Sequence, residues 1–179
     1  MLFFDTRVAP SEICGIGLYT TEKIAKGSLV ADFVTDSRII TEQEYIQEVL
    51  SGNRLVQMSG VRWFGDQFVC ASEPEQEDYI NHSFSPNVIY CCGFCFAGEE
   101  ILKGTEITLD YRCFLSSHDC DSFLDLKTGF QVQGYRPEKA LEVSILKLRK
   151  VVSEIRISQN TTLASEGFYL ADVGSDERS

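Results

Sequence analysis

The sequence predicts a mainly β domain through about residue 114, followed by a C-terminal α-helix. Three observations carry this. Short runs rich in β-branched and aromatic residues recur at close spacing, punctuated by turns such as Lys26-Gly27 and Lys103-Gly104. Residues 137–156 instead place Leu141, Ile145, Leu148, Val152 and Ile155 at steps of four, three, four and three. That is one stripe of an amphipathic helix, with Pro137 suited to its first turn. Finally, 179 residues with 44% hydrophobic side chains, including 12 Phe and 7 Tyr, supply one real core and exclude a disordered chain.

The elements follow in order. Segments 12–21 and 28–35 read as strands joined around Lys26-Gly27. Thr41 and Glu44 form a capping-box pair, so a helix is expected over 42–50, ended by Ser51-Gly52. Strands follow near 60–64 and 67–71, then an acidic loop over 73–78 and a polar stretch, 79-YINHSFSPN-87. Strands over 88–96 and 105–111 complete the β region. The helix over 137–156 is expected to pack its stripe on the β core, and the polar end, 172–179, to fray.

Charge and cysteine content narrow the function. With 27 acidic against 16 basic side chains, the net charge is -11. This argues against direct nucleic-acid binding, which Lys and Arg drive through phosphates, and leaves a basic protein partner that an acidic surface would attract. No run approaches the roughly 18 apolar residues of a membrane span, so no membrane association is expected. Met1-Leu-Phe-Phe, followed by Asp5 and Arg7, is too short for the apolar region of a signal peptide. The seven cysteines are therefore expected as reduced thiols of an intracellular protein, nuclear or cytoplasmic. Cys92-Gly-Phe-Cys95 has metal-type spacing; the other reading is a strand of small buried thiols. Zinc needs a second such pair or a His pair, and neither appears, so no metal is expected.

Three clusters interrupt strand patterns with polar or glycine residues. In Gly15-Ile16-Gly17-Leu18-Tyr19, two glycines let a ligand approach the backbone, although a plain strand bulge reads equally well. Asn81-His82-Ser83, continuing to Pro86-Asn87, makes a tight loop of hydrogen-bonding groups. A lone histidine there is by type more often structural than catalytic. In the third cluster, Ile107, Leu109 and Tyr111 alternate with Glu106, Thr108 and Asp110. Taken alone, Tyr111 reads as a core aromatic with its hydroxyl tied to a carbonyl.

In this order and spacing the clusters resemble those of the SET-domain protein lysine methyltransferases. The matching stretches are 15-GIGLYTTEKIAKGSLV-30, 80-INHSFSPNVIY-90 and 98-GEEILKGTEITLDY-111, within about residues 7–112. The resemblance implies a β-clip-like fold in which the stretch through Asn87 and the strand 106–111 thread into a pseudoknot. It implies S-adenosylmethionine as cofactor, held by Gly15, Ile16, Gly17 and Tyr19, mainly through main chain. Asn81 and His82 match the pair that holds the methionyl amine and the adenine. Tyr111 matches the catalytic tyrosine, and Tyr90 resembles an active-site tyrosine of a lysine-monomethylating branch. Phe33 and Leu109, with both tyrosines, are implied walls of an apolar lysine channel. The implied activity is methyl transfer to the side-chain amine of a lysine in a basic protein or peptide, histone tails among the candidates. The alternative is a catalytically silent SET-like module that binds peptides or serves as a scaffold.

The chain also departs from the family pattern. Phe84 stands where a zinc-ligating Cys often follows the Asn-His-Ser run, and the Cys-x-Cys-x4-Cys tail that partners it is absent. A zinc post-SET module is therefore not expected. Residues 115–171, with Phe123, Phe130 and Tyr135, are nominated to close the site instead, leaving 1–114 as the SET domain. Phe33-Val34-Thr35 replaces a Tyr-x-Gly and Asp78-Tyr79 replaces an Arg-Phe, changes that bear on peptide recognition. Leu109 replaces a Phe or Tyr; without a hydroxyl it favours room for di- or trimethylation, while Tyr90 could supply a hydroxyl instead. Residues 61–120 carry ten acids against three bases, and Glu73, Glu75, Glu77 and Asp78 precede the Asn-His motif. An acidic rim that steers a Lys-rich peptide is one reading, a solvated loop the other.

Overall fold

Small antiparallel sheets closed by one long helix make up the computed structural model, which describes residues 1–118, 121–125 and 127–171, with side chains through 159. β1 (Thr6–Pro10) and β2 (Ile16–Thr20) pair from Thr6 opposite Thr20 to Pro10 opposite Ile16. After β3 (Leu29–Asp32), β4 (Arg38–Thr41) runs directly into α1 (Glu42–Leu50) through the expected capping box. Thr41 Oγ1 accepts from the Glu44 amide at 3.2 Å, and Glu44 Oε2 accepts from the Thr41 amide at 2.8 Å. α2 (Arg54–Ser59), capped by Asn53, leads to β5 (Val61–Phe64) and β6 (Gln67–Cys70), which join β4 in the sheet β4-β6-β5.

A short 3-10 helix, Gln76–Tyr79, precedes β7 (Asn81–His82). β8 (Val88–Cys91) and β9 (Phe94–Ala97) then complete the sheet β3-β9-β8. β10 (Thr108–Leu109) lies parallel to β7, with Thr108 beside Asn81 and Leu109 beside His82. A 3-10 turn, Tyr111–Cys113, is followed by the hairpin β11 (Phe123–Leu124) and β12 (Gln131–Val132), and by α3 (Pro137–Ala171).

The differences from the sequence reading have physical causes. The expected strand 88–96 is a hairpin: Cys92 and Gly93 both take positive φ (50° and 84°), as a two-residue turn between twisted strands requires. The expected strand 105–111 shortens to β10. Ile107, Thr108, Leu109 and Asp110 are all buried, so alternation has no solvent face to report. β1, β4 and α2 are too short or too exposed to stand out as patterns. α3 turns a different face to the core from the predicted stripe. Ala140, Ser144 and Val151 are buried, whereas Ile145 and Val152 are 49% and 47% exposed. Small side chains let the helix lie close against β8 and the Tyr111–Cys113 turn. α3 also continues past residue 156, and the stretch expected to fray, 172–179, lies outside the described residues.

Most of the buried apolar residues form one core, with Leu18, Val30, Val69, Val88, Ile101 and Ile107 at its centre. A smaller cluster under α1 and α2 stacks Tyr45 on Phe68 with ring centroids 4.3 Å apart. A buried polar chain ties that cluster to the later segment. Tyr45 OH donates to Asp121 Oδ1 (2.9 Å), Asp121 Oδ2 accepts from Ser116 N (2.7 Å), and Ser116 Oγ donates to Glu42 Oε1 (2.7 Å). Arg62 grips Glu42 with both terminal nitrogens, at 3.2 and 2.6 Å.

Burial pushes the Asp121 carboxyl up to about 6, against the hydrogen bonds from Ser116 and Tyr45. A folded-state pKa above the unfolded one makes the ionised form the disfavoured one. The stability this group contributes is full below about pH 4 and is lost as pH rises through about 6, on the order of 2–3 kcal/mol. Thermal melts should show wild type losing stability between pH 4 and 6 relative to Asp121→Asn; parallel pH profiles for the two proteins would refute this.

Candidate active site

The three clusters, remote in sequence, meet along one crossing. Residues 105–110 lie between β2 and the 81–87 segment. On the β2 side, Ile107 N donates to Leu18 O (2.7 Å) and Thr20 N donates to Thr105 O (3.1 Å). On the other, Ser83 N donates to Leu109 O (2.8 Å). The buried Asn87 side chain donates to Glu106 O (2.8 Å) and accepts from Thr108 N (2.9 Å), a pairing that needs an amide's donor and acceptor together. The Asn81 amide nitrogen reaches Ile16 O (3.0 Å), Cys14 O (3.2 Å) and Glu106 Oε1 (2.8 Å), drawing the Gly15–Gly17 turn onto β7. Glu106 also accepts from Ser11 Oγ (2.7 Å) and Tyr19 OH (3.1 Å). A Cβ on Gly17 would run into this carboxylate, which explains the second glycine.

Beside the crossing lies an aromatic cluster. His82 is buried, and its Nδ1 accepts from Tyr111 N (3.2 Å), which puts the ring proton on Nε2. Burial holds its pKa below the ordinary histidine value, so the imidazole is neutral at pH 7. The Nε2 group has no partner among the described residues. The rings of Phe84 (4.6 Å), Tyr111 (5.4 Å) and Phe123 (6.0 Å) surround it. Tyr111 OH donates to Ile80 O at 2.5 Å, and burial raises its pKa, so it stays a phenol. Phe114, which sequence reasoning missed, stands between Tyr111 (4.9 Å) and Tyr90 (5.2 Å). Its one signal was its place three residues after Tyr111, across the 3-10 turn. The Tyr90 hydroxyl donates to Arg62 O, and Phe33 lies edge-on to Tyr90 at 6.3 Å. Phe33, Tyr90 and Tyr111 thus lie along one row, while Leu109 is wholly buried in β10.

A cavity of about 170 Å³ opens on the far side of Tyr90, between the β5–β6 hairpin and the first turns of α3; Trp63, Phe64, Cys92 and Leu141 line it. Of the four residues nominated as channel walls Tyr90 lines it, and Phe33, Leu109 and Tyr111 do not. The three aromatics nominated after residue 115 all reach the cluster. Phe123 faces His82 and Tyr111, Phe130 meets Phe84 at 6.1 Å, and the Arg112 guanidinium lies over both Phe84 (4.8 Å) and Tyr135 (5.1 Å). Phe84, where the family pattern has a ligating cysteine, is thus an anchor for the later segment.

The acidic segment is not a free rim. Glu77 is buried and accepts from the Met1 amine, Glu75 meets the same amine at 3.4 Å, and Asp78 Oδ2 accepts from Glu75 N at 3.0 Å. Of the four acids Glu77 is buried, Glu75 and Asp78 are half-buried and hydrogen-bonded within the segment or to Met1, and Glu73 is exposed. Cys91, Cys92, Cys95 and Cys113 are free thiols, and among the described residues no three His, Cys, Asp or Glu side chains converge as metal ligands. Cys120 lies outside the described residues.

These features define a class: a β-rich domain whose site is built where two distant segments cross beside a Gly-x-Gly hairpin. The family profile of the SET domain matches residues 15–112, more than half of the chain, and the chain belongs to the SET-domain family. No curated protein matches it. Among the described residues, no helix is long and apolar enough to cross a membrane.

Asn87→Ala removes both hydrogen bonds that clamp the crossing and leaves Thr108 N unpaired in a buried place. Denaturant unfolding should register a loss on the order of 2–4 kcal/mol, whereas a loss within measurement error would show that the crossing does not depend on this residue.

Proposed function

We propose that this protein is an S-adenosylmethionine-dependent protein lysine methyltransferase. The observation that carries the reading is the setting of Tyr111. Its hydroxyl is bound to Ile80 O, its amide to His82, and its ring to Phe114 and the row leading to Tyr90. When bound, S-adenosylmethionine supplies a methyl group carried on a sulfonium. Two features fit such a group. One is the aromatic shelf of His82, Phe84 and Phe123, whose unmet donor, His82 Nε2, suits a heteroaromatic ring with acceptor nitrogens. The other is Gly15, where a Cβ would meet nothing within 4 Å and close approach to the backbone is open. We assign Gly15, Ile16, Gly17, Tyr19, Asn81 and His82 to holding the cofactor.

The chain's own residues then prepare the amine. A free lysine has a pKa near 10.4, so its ammonium must lose a proton before it can act as a nucleophile. The cavity beside Tyr90, walled by Trp63, Phe64 and Leu141, accommodates the hydrocarbon stem and disfavours the charged form. Tyr111 stays neutral with its proton committed to Ile80 O, leaving its oxygen lone pairs to position the reacting carbon. We place Phe33 and Leu109, which lie outside this cavity, as walls of the path beyond it toward Tyr111, and Tyr90 as a second catalytic-site tyrosine whose hydroxyl is steadied by Arg62 O. Residues 115–171 act as the closing segment: Phe123, Phe130 and Tyr135 cover the crossing, and α3 braces them. The substrate is a lysine-bearing basic protein, histone tails among the candidates, which a chain of net charge -11 attracts.

S-Adenosylhomocysteine should raise the melting temperature, because a ligand bound only by the folded state stabilises it. Tyr111→Phe should retain that shift and lose at least about a hundredfold in turnover, read by mass spectrometry of a protein substrate found by labelling a lysate. Full activity in that variant would overturn the assignment of Tyr111. A melting temperature indifferent to S-adenosylhomocysteine would leave the silent peptide-binding module as the reading.

A further inference from the structure

We infer that Glu106 is the counter-ion for the α-ammonium group of the cofactor, an inference that rests on reading the crossing as an S-adenosylmethionine site. The donors that its carboxylate accepts from are all neutral. Oε1 accepts from Ser11 Oγ (2.7 Å) and from the Asn81 amide (2.8 Å), and Oε2 accepts from Tyr19 OH (3.1 Å). Among the described residues no Lys, Arg or His forms an ion pair with it. Arg7, on the same hairpin, lays its guanidinium over the Tyr19 ring instead, 4.9 Å from the centroid. A half-buried carboxylate held only by neutral donors brings an uncompensated negative charge into the site, and a cation is the group that meets it with a charge-assisted hydrogen bond.

The hydrogen count at Asn81 points the same way. Its amide nitrogen carries two hydrogens, yet three oxygens stand within reach: Cys14 O, Ile16 O and Glu106 Oε1. At least one acceptor is therefore short of a proton. The cluster is rich in acceptors, poor in donors and negative, so an ammonium with three N–H groups matches it and a carboxylate is repelled. Access is available. Glu106 and Asn81 are only partly buried, and a Cβ built on Gly15 would meet nothing within 4 Å. The cofactor's own carboxylate must accordingly lie away from Glu106.

The test is calorimetric titration with S-adenosylhomocysteine and with its deamino analogue, in which hydrogen replaces the amine. Wild type should bind the amine-bearing ligand about 10- to 100-fold more tightly, the range of one charge-assisted hydrogen bond. Glu106→Gln should weaken S-adenosylhomocysteine to within about threefold of the analogue while binding the analogue as wild type does. Ser11→Ala, which removes a neutral donor and leaves the charge, should keep the wild-type preference. An undiminished preference in Glu106→Gln overturns the inference. So does a wild type that binds both ligands equally, which decides the matter even if Glu106→Gln does not fold. Failure of wild type to bind S-adenosylhomocysteine at all would overturn the cofactor reading as well.

Discussion

Everything at the site depends on the crossing of residues 105–110 with residues 81–87, and that crossing rests on Asn87. β7 and β10 are only two residues long, too short to hold a parallel pairing through ladder hydrogen bonds alone. The Asn87 amide supplies what the ladder lacks, one donor and one acceptor spanning Glu106 O and Thr108 N in a buried place. With that clamp set, Ser83 meets Leu109, Tyr111 N meets His82, and the Tyr111 hydroxyl comes to Ile80 O. Contacts between segments some twenty-five residues apart become local, and the loop-closure entropy is offset in a few square ångströms of polar contact.

The later segment is attached by different physics. Aromatic and guanidinium faces hold it. Phe84 sits under Arg112 and against Phe130, and Asp110 holds Arg112 with two contacts at 2.8 and 2.9 Å. Its other end is fixed by the Asp121 hydrogen bonds to Tyr45 and Ser116. Stacked rings and single hydrogen bonds are individually modest, about 0.5–1.5 kcal/mol each.

What could be read from the residues alone was whatever chemistry forces into a local pattern. The capping box at Thr41 and Glu44 was legible because both partners lie within four residues. The three clusters were legible because backbone-rich crossings leave polar residues and glycine where strands would hold apolar ones. The site's supporting residues were not. Phe114 is one aromatic among many until Tyr90 and Tyr111 close on it from segments twenty residues apart. Glu106 looked like the outward half of an alternating strand, yet its partners, Ser11 and Tyr19, lie 95 and 87 residues away. The α3 stripe misled for a related reason. Larger apolar residues mark a face by hydropathy, but close approach to the core selected the small ones, Ala140 and Ser144. The acid-rich run before Asn81 read as surface because nothing in its composition reveals that Glu77 is buried.

The stretch from Glu106 to Tyr111 joins these regions through consecutive residues. Glu106 gathers Ser11, Tyr19 and Asn81 at the glycine turn; Thr108 meets the Asn87 clamp; Asp110 holds Arg112 and reaches Lys147 of α3 at 3.4 Å; Tyr111 ends the run on Ile80 O. Because residues 105–110 are held on both sides, a displacement at one end is resisted by hydrogen bonds along their length. In the proposed reading this makes the cofactor side and the lysine side rigid with respect to each other, which an in-line transfer demands. Residues 106–111 are held by hydrogen bonds along their length, and the later segment by aromatic faces together with the buried hydrogen bonds of Asp121 and Ser116.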